Sequence, residues 1–277
     1  MTKAVIPEAA PLAGALVRRR GGRRSAVGQL VPLVGPVILV VLWQLASGPL
    51  IDPFLLPSPT SVAQGLLELW SDGTLQEATV VSLGRILAGW LVGAAFGIPI
   101  GLLVGYYRVA RQLIDPFIHF FRFVPAISLI TLFILWLGVG EASKIGLIAY
   151  ATGFIVLVNT ATGVGAIPAD KLNAARILGA SPRQVFLWVV APATVPYIFT
   201  GMRLAMATAF VVIVGAEIIA ANAGLGYLVW TSRLYFRVDW IFGGVIVIGV
   251  LGYATDRLWG WIGRHAFGRF LRHSINY

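Results

Sequence analysis

The sequence predicts an all-α membrane protein, a bundle of six transmembrane helices, and three observations carry that prediction. Hydrophobic residues make up 58% of the 277 positions, only 12% are charged, and mean hydropathy is +0.86; a soluble globule carries about 25% charged residues. Apolar stretches of about 20 residues, the length that crosses a bilayer, recur six times along the chain. The basic residues gather at the ends of those stretches. A formal charge of +10 is therefore assigned to topology and the lipid bilayer, and nucleic acid is not expected as a partner. The absence of cysteine excludes disulfides and thiolate metal sites.

The elements follow in order. A basic tail over residues 1–28 carries Arg18, Arg19, Arg20, Arg23 and Arg24. The first span, from about Gln29 to Ser47, is of spanning length with no convincing small-residue cleavage site after it, so it reads as a retained helix and not a secretory signal. Ser58 followed by Pro59 is an N-cap with proline at the first helical position, and Val62, Leu66, Leu69 and Trp70 repeat along one face; a short helix in the outer interface is expected. The second span, Ile86 to Tyr106, carries Gly89, Gly93, Gly97, Gly101 and Gly105, four residues apart. Small residues at that spacing let two backbones approach closely, so a packing surface inside a bundle is expected. This row also suggests that two copies of the chain pair.

The third and fourth spans are read at Phe117 to Leu137 and Ile145 to Gly163, the fifth at Thr194 to Ile219 and the sixth at Trp240 to Trp259. A second basic tail covers residues 263–277, leaving a membrane domain over residues 29–262. Between the fourth and fifth spans, at about residues 165–192, the chain turns polar. There the spacing of Leu172, Ala175 and Leu178, then of Val185, Trp188 and Val189, predicts two short amphipathic helices broken at Gly179. A polar hairpin of this kind on a membrane protein is expected to dock something.

Orientation follows from the arginines. With six spans, the amino-terminal cluster, Arg108 and Arg111, the hairpin's Lys171, Arg176 and Arg183, and Arg264, Arg269 and Arg272 all fall on one side. The positive-inside rule makes that side, with both termini, cytoplasmic. Lys144, Arg233 and Arg237 lie opposite.

A charge unpaired at the bilayer centre costs about 3 kcal/mol or more, so ionisable residues inside spans are functional candidates. Arg203 and Glu217 in the fifth span, with Asn159 in the fourth, are the candidate pathway residues, pairing between helices being the alternative. Arg85, Arg122, Asp115 and Asp256 lie nearer span ends, where snorkelling or interhelical pairing is expected. No GxxxxGK[ST] occurs, so the chain binds no nucleotide through a P-loop, and the three histidines form no HExxH. Nothing forms a catalytic constellation. A secondary transporter or channel would be expected to show inverted repeats, and none is visible.

The stretch NAARILGASPRQVFLWVVAP, Asn173 to Pro192, resembles the EAA loop of the membrane permease subunits of bacterial ABC importers. Ala174, Ala175, Gly179 and Pro192 match in register, with Asn173 in place of the glutamate and Val189 and Ala191 in place of the isoleucine and leucine. LLPSPTSV from Leu55, GIPIGLLVG from Gly97, LWLGVGEASKI from Leu135 and AEIIAANAGLGYLV from Ala216 are similar to the nitrate, sulfonate, taurine and bicarbonate type of permease. The resemblance implies a type I importer in the bacterial cytoplasmic (inner) membrane. It would contain two permease copies, a cytoplasmic ABC ATPase dimer that binds ATP and Mg, and an extracytoplasmic solute-binding protein; no cofactor is implied in this chain. It further implies that Asn173, Ala174, Ala175, Leu178, Gly179, Ala180, Ser181 and Pro192 belong to the ATPase-coupling loop.

Overall fold

The structure, a computed structural model, describes residues 26–266, with side chains from Val34 to His265. Most of the two basic tails lies outside those residues. The order is α1 (Ala26–Ala46), α2 (Pro59–Ser71), α3 (Thr74–Tyr106), α4 (Arg108–Phe121), a 3-10 turn (Ala126–Leu129), α5 (Ile130–Leu137), α6 (Glu141–Gly165) and α7 (Ala169–Ile177). There follow α8 (Pro182–Gln184), a π turn (Val185–Val190), α9 (Ala191–Ala220), α10 (Leu225–Ser232), a 3-10 turn (Arg233–Tyr235) and α11 (Val238–Ala266). Among the described residues there is no strand, only an isolated bridge between Ser47 and Ile51.

Four described helices are long and apolar enough to cross a membrane: α3, α6, the run Pro182–Ala220, and α11. The expected third span differs from its prediction. Instead of one helix from Phe117 to Leu137, α4 and the segment Ala126–Leu137 meet at 90°. Pro125 is the cause: it has no N–H to donate to the preceding turn and it pushes Val124 out of the α region. The carbonyl of Phe121, to which Pro125 can donate nothing, accepts instead from the Val124 N–H at 3.0 Å and from the Tyr150 hydroxyl at 2.6 Å. The expected first span, Gln29 to Ser47, coincides with α1, Ala26–Ala46, which is tied to the loop before α2 through Trp43 Nε1 on the Pro57 carbonyl (2.9 Å) and Ser47 Oγ on that of Leu56 (2.7 Å).

The short α2 forms as its sequence predicts. Ser58 caps it, accepting from the Ser61 N–H, with Pro59 at the first position, and Val62, Gly65 and Leu69 are buried while Trp70 faces out. It rests on α11, where Arg237 joins Glu68 and Asp239, the latter at 2.7 Å, and stacks on Trp240.

The glycine row of α3 is consumed inside the chain. Added Cβ atoms would lie 2.5 Å from Ile148 at Gly89, 2.6 Å from the Gly153 carbonyl at Gly97, 2.6 Å from the Leu157 carbonyl at Gly101 and 2.5 Å from Val164 at Gly105; at Gly93 one would strike Thr152. All five face α6. The row therefore does not motivate pairing of two copies, because no part of it is left over for a second chain. α6 also packs on α9, with Val156 meeting Gly97 of α3 on one side and Gly201 of α9 on the other, and Trp90 of α3 closes the group by donating to the Met202 carbonyl (2.9 Å) and meeting Trp259 of α11 edge-on. Since the neighbour at Gly101 is backbone, it cannot yield; Gly101→Leu is expected to cost about 1–3 kcal/mol. A lowered thermal midpoint in detergent, against an unchanged one for Gly84→Leu, where nothing lies within 4 Å, checks this.

Candidate functional site

Three places merit attention. The first is the polar hairpin. Helix α7 ends in a Schellman motif: the Ala180 N–H donates to the Ala175 carbonyl and the Gly179 N–H to that of Arg176, both at 3.0 Å. Gly179 holds the left-handed conformation this motif needs, at φ +82°. The next turn starts at Ser181, whose hydroxyl accepts from the Gln184 N–H while the Gln184 side chain accepts from the Ser181 N–H, a capping box. From there the chain does not make a second short helix, as the spacing suggested. It runs on through the π turn into α9 as one 39-residue helix, Pro182–Ala220, so Pro192 lies within the long helix and the hairpin is rigidly joined to the fifth span.

The hairpin's inner face is Leu172, Ala175 and Ala180, packed on Val164, Val185 and Val190 with Tyr106 and Phe186. Leu178 is not on that face: it is 87% exposed and Ile177 85%, while Asn173, Ala174, Gly179 and Ser181 are also exposed. The spacing that grouped Leu178 with Leu172 and Ala175 fails because the helix ends at Ile177. Arg176 Nη1 reaches Asn173 Oδ1 at 3.5 Å. The hairpin thus offers a rigid polar stalk with two bulky apolar side chains at its tip.

The second is a buried polar network at the other end of the bundle. Glu217 is fully buried; it accepts from Arg85 Nη1 at 2.8 Å, from the Gly226 N–H at 2.8 Å and from Ser82, which lies 2.8 and 2.9 Å from its two oxygens. Arg85 also grips Glu141 through two bonds of 2.6 and 2.7 Å and donates to the Ala223 carbonyl at 2.6 Å. Ser82 Oγ accepts from the Leu225 N–H at 2.8 Å. One arginine thus ties α3, the start of α6, α9 and the loop before α10. The interhelical pairing expected of Arg85 is present, whereas the part played by Glu141, Ser82 and the loop amides had no local sequence signal. Arg203 is placed apart from Glu217, joined to Asp256 of α11 by two bonds of 2.5 and 2.6 Å.

The third is a cavity of about 710 Å³ between the broken span, α6 and α9, open to one side. Asn159 lines it, its amide donating to the Ile155 carbonyl at 2.8 Å; neither Arg203 nor Glu217 is among its walls. Of the three candidate pathway residues, only Asn159 borders this space.

Comparison with known proteins accords with this geometry. A family model described as "Binding-protein-dependent transport system inner membrane component" matches residues 97–265. The taurine transport system permease protein TauC of Escherichia coli is 35% identical over 225 residues, covering 79% of this chain and 82% of its own. The bicarbonate transport system permease protein CmpB of Synechococcus elongatus is 32% identical over 267 residues, covering 89% and 95%. In fold, the chain is similar to a structure of the inward-facing MetNI methionine ABC transporter, with a TM-score of 0.54 at 17% identity, over 77% of this chain and 99% of that one. The chain belongs to the family of binding-protein-dependent transport system inner membrane components, and it is a multi-pass membrane permease of the ABC transporter kind, not a catalytic subunit.

Proposed function

We propose that this permease forms the translocation pathway of an ATP-driven importer in which a separate ATPase dimer, carrying ATP and Mg, engages the α7 hairpin. The observation that carries the reading is the hairpin tip: Ile177 and Leu178 stand 85% and 87% exposed on a turn locked by a Schellman motif and a capping box, a knob suited to a groove on a partner. Asn173, Ala174, Ala175, Gly179, Ala180 and Ser181 shape that knob, and the continuous helix from Pro182 carries its movement to the cavity wall. With Lys171, Arg176, Arg183, Arg108, Arg111 and Arg264 placed as the positive-inside rule requires, the hairpin is cytoplasmic. A solute-binding protein delivers solute from the opposite side. Two copies face each other across the open side of the cavity, whose rim exposes Phe123 at 73% and Val211 at 67%.

The substrate class we assign is a small anion, supported by relatives named for taurine and bicarbonate. The bundle must have two states that differ in affinity for the ATP-closed partner, so that closure of the ATPase shifts the permease from one to the other.

Copurification tests the reading. The permease is expected to bring down a P-loop ATPase at one to one. Burying one leucine contributes about 1.5–3 kcal/mol, so Leu178→Asp should weaken that association at least about tenfold with membrane abundance unchanged. A variant that retains its ATPase would show that the hairpin tip does not carry docking, and a wild-type chain that transports without an ATPase would make this a secondary transporter.

A further inference from the structure

The loop between α9 and α10, residues 221–224, is held more firmly than a surface position requires. Arg85 donates to the Ala223 carbonyl at 2.6 Å, while just beyond the loop Ser82 accepts from the Leu225 N–H and Glu217 from the Gly226 N–H, both at 2.8 Å. The loop rests directly on the buried carboxylate: a Cβ at Gly224 would strike it, and one at Gly226 would lie 2.7 Å from the Val214 carbonyl. A buried ion pair adds little net stability over apolar side chains of similar volume, and what it fixes is geometry. Here it fixes a loop at the end of the bundle opposite the hairpin.

The outward side of that loop is unspent. Asn222 is exposed, and among the described residues neither its side chain nor the N–H groups of Asn222 and Ala223 have a hydrogen-bond partner. Beside the loop opens a recess of about 470 Å³, walled by residues 219–223 together with Gly140, Glu141, Arg85 and Lys144. Lys144 is only 5% exposed and makes one bond, to Glu141 Oε1 at 3.3 Å, so two of its three N–H donors are free. Burying an ammonium with so few acceptors is costly, and an acceptor arriving from outside the chain removes that cost. A carboxylate offers two oxygens at once to Lys144 and the loop N–H groups.

The place of the recess says what brings the carboxylate. A second copy or a lipid beside the chain meets the flanks of its helices. A recess made of helix ends and a loop, at the end of the bundle, meets what arrives from the aqueous side.

We propose that residues 221–224 and the recess beside them are the docking site of the extracytoplasmic solute-binding protein, which seats a carboxylate side chain against Lys144. The buried network of Arg85, Ser82 and Glu217 preorganises the site, so docking does not have to order the loop. This rests on the transport reading above, which places this end of the bundle on the outer side of the membrane.

The test starts in intact cells, with photoreactive benzoylphenylalanine in place of Asn222 and, in separate chains, of Leu178, Leu67 or Tyr235. Leu67 and Tyr235 are 68% and 71% exposed and serve as controls away from the recess. Irradiation is expected to join the Asn222 position to one soluble protein, identified by mass spectrometry as a solute-binding protein, and the Leu178 position to the ATPase. Absence of a binding protein at Asn222, or an equal yield at Leu67 and Tyr235, overturns the proposal; absence of the ATPase at Leu178 falls on the transport reading instead. The binding protein so identified is then purified and titrated against the permease complex in nanodiscs. Lys144→Met is expected to weaken its binding at least about tenfold with the thermal midpoint kept, because Glu141 is 57% exposed and loses only a 3.3 Å bond. Unchanged affinity in that variant overturns the proposal, and unchanged affinity with reduced uptake assigns the recess to the solute itself. Should Lys144→Met fail to fold, the exposed Asn222 decides. Asn222→Asp puts a like charge at the rim and is expected to weaken binding about tenfold, whereas Asn222→Lys does not; equal binding by the two overturns the proposal.

Discussion

Glu217→Ala is expected to remove most of the protein from the membrane fraction and to lower sharply the thermal midpoint of what remains. Glu217 is fully buried and meets Arg85, Ser82 and the Gly226 N–H within 2.9 Å. Deleting its carboxylate leaves the Ser82 hydroxyl and the Gly226 N–H without their acceptor and takes from the Arg85 guanidinium, 6% exposed, the buried one of its two carboxylates, Glu141 and the Ala223 carbonyl remaining. Removing one partner of a buried ion pair costs about 3–5 kcal/mol, a large share of the roughly 5–15 kcal/mol that holds a folded domain together. Glu141 supplies the contrast. It grips the same arginine with shorter bonds, yet its side chain is 57% exposed, and water can replace much of what Glu141→Gln removes; about 1 kcal/mol or less is expected there. The ranking is the opposite of what the bond lengths suggest, and burial decides it. Because Arg85 and Glu217 share one network, a double-mutant cycle with Arg85→Met and Glu217→Leu should show strong non-additivity, the pair being less damaging than the sum of the singles. Normal abundance and melting for Glu217→Ala would mean that the charge is solvated in the working protein and that the network does not hold the loop before α10.

The residues that were legible in the sequence are those whose chemistry is local. Gly89 to Gly105 announce close packing because only missing side chains let two helix backbones come so near: a Cβ added at Gly97 or Gly101 would lie 2.6 Å from a carbonyl of α6. What the row could not announce is which helix takes it, and α6 leaves none for a second copy. Gly179 and Ser181 read as punctuation because a left-handed residue and a cap each need a particular side chain. The break at Pro125 was less legible. Spanning helices tolerate proline when neighbours satisfy the freed backbone groups, and the neighbour that does so, Tyr150, lies 29 positions away. Pairing across the fold was the least legible of all. Arg85 and Glu217 are 132 residues apart and Arg203 and Asp256 53 apart, and a single sequence carries no sign of which charges will meet.

Gly179→Val is expected to leave the permease in the membrane at near-normal abundance and to abolish ATPase association and uptake together. An added Cβ at Gly179 meets nothing within 4 Å, so crowding inside the chain is not the cause. The cause is φ +82°, where an L-residue costs about 1–2 kcal/mol and a β-branched one more. The turn can escape that strain only by leaving the left-handed region, which breaks the bonds from the Gly179 and Ala180 N–H groups to Arg176 and Ala175 and lets α7 swing relative to Ser181. The capping box at Ser181 and Gln184 begins the 39-residue helix that carries Arg203 and the cavity wall, so a swing at Gly179 disconnects the docking knob from the pathway while every span still inserts. Two controls separate backbone strain from added bulk. Gly84→Val puts the same side chain at another position with nothing within 4 Å but no positive φ, and should transport normally. Gly179→Asn, which tolerates the left-handed region, should recover most of the loss. Ala175→Glu is harsher on the fold than its exposed neighbours suggest, since Ala175 packs with Val164 and Val185, and it is a poorer probe of docking for that reason. If abundance, copurified ATPase and uptake are measured on one preparation and Gly179→Val retains all three, the hairpin is a connector and the coupling element lies elsewhere.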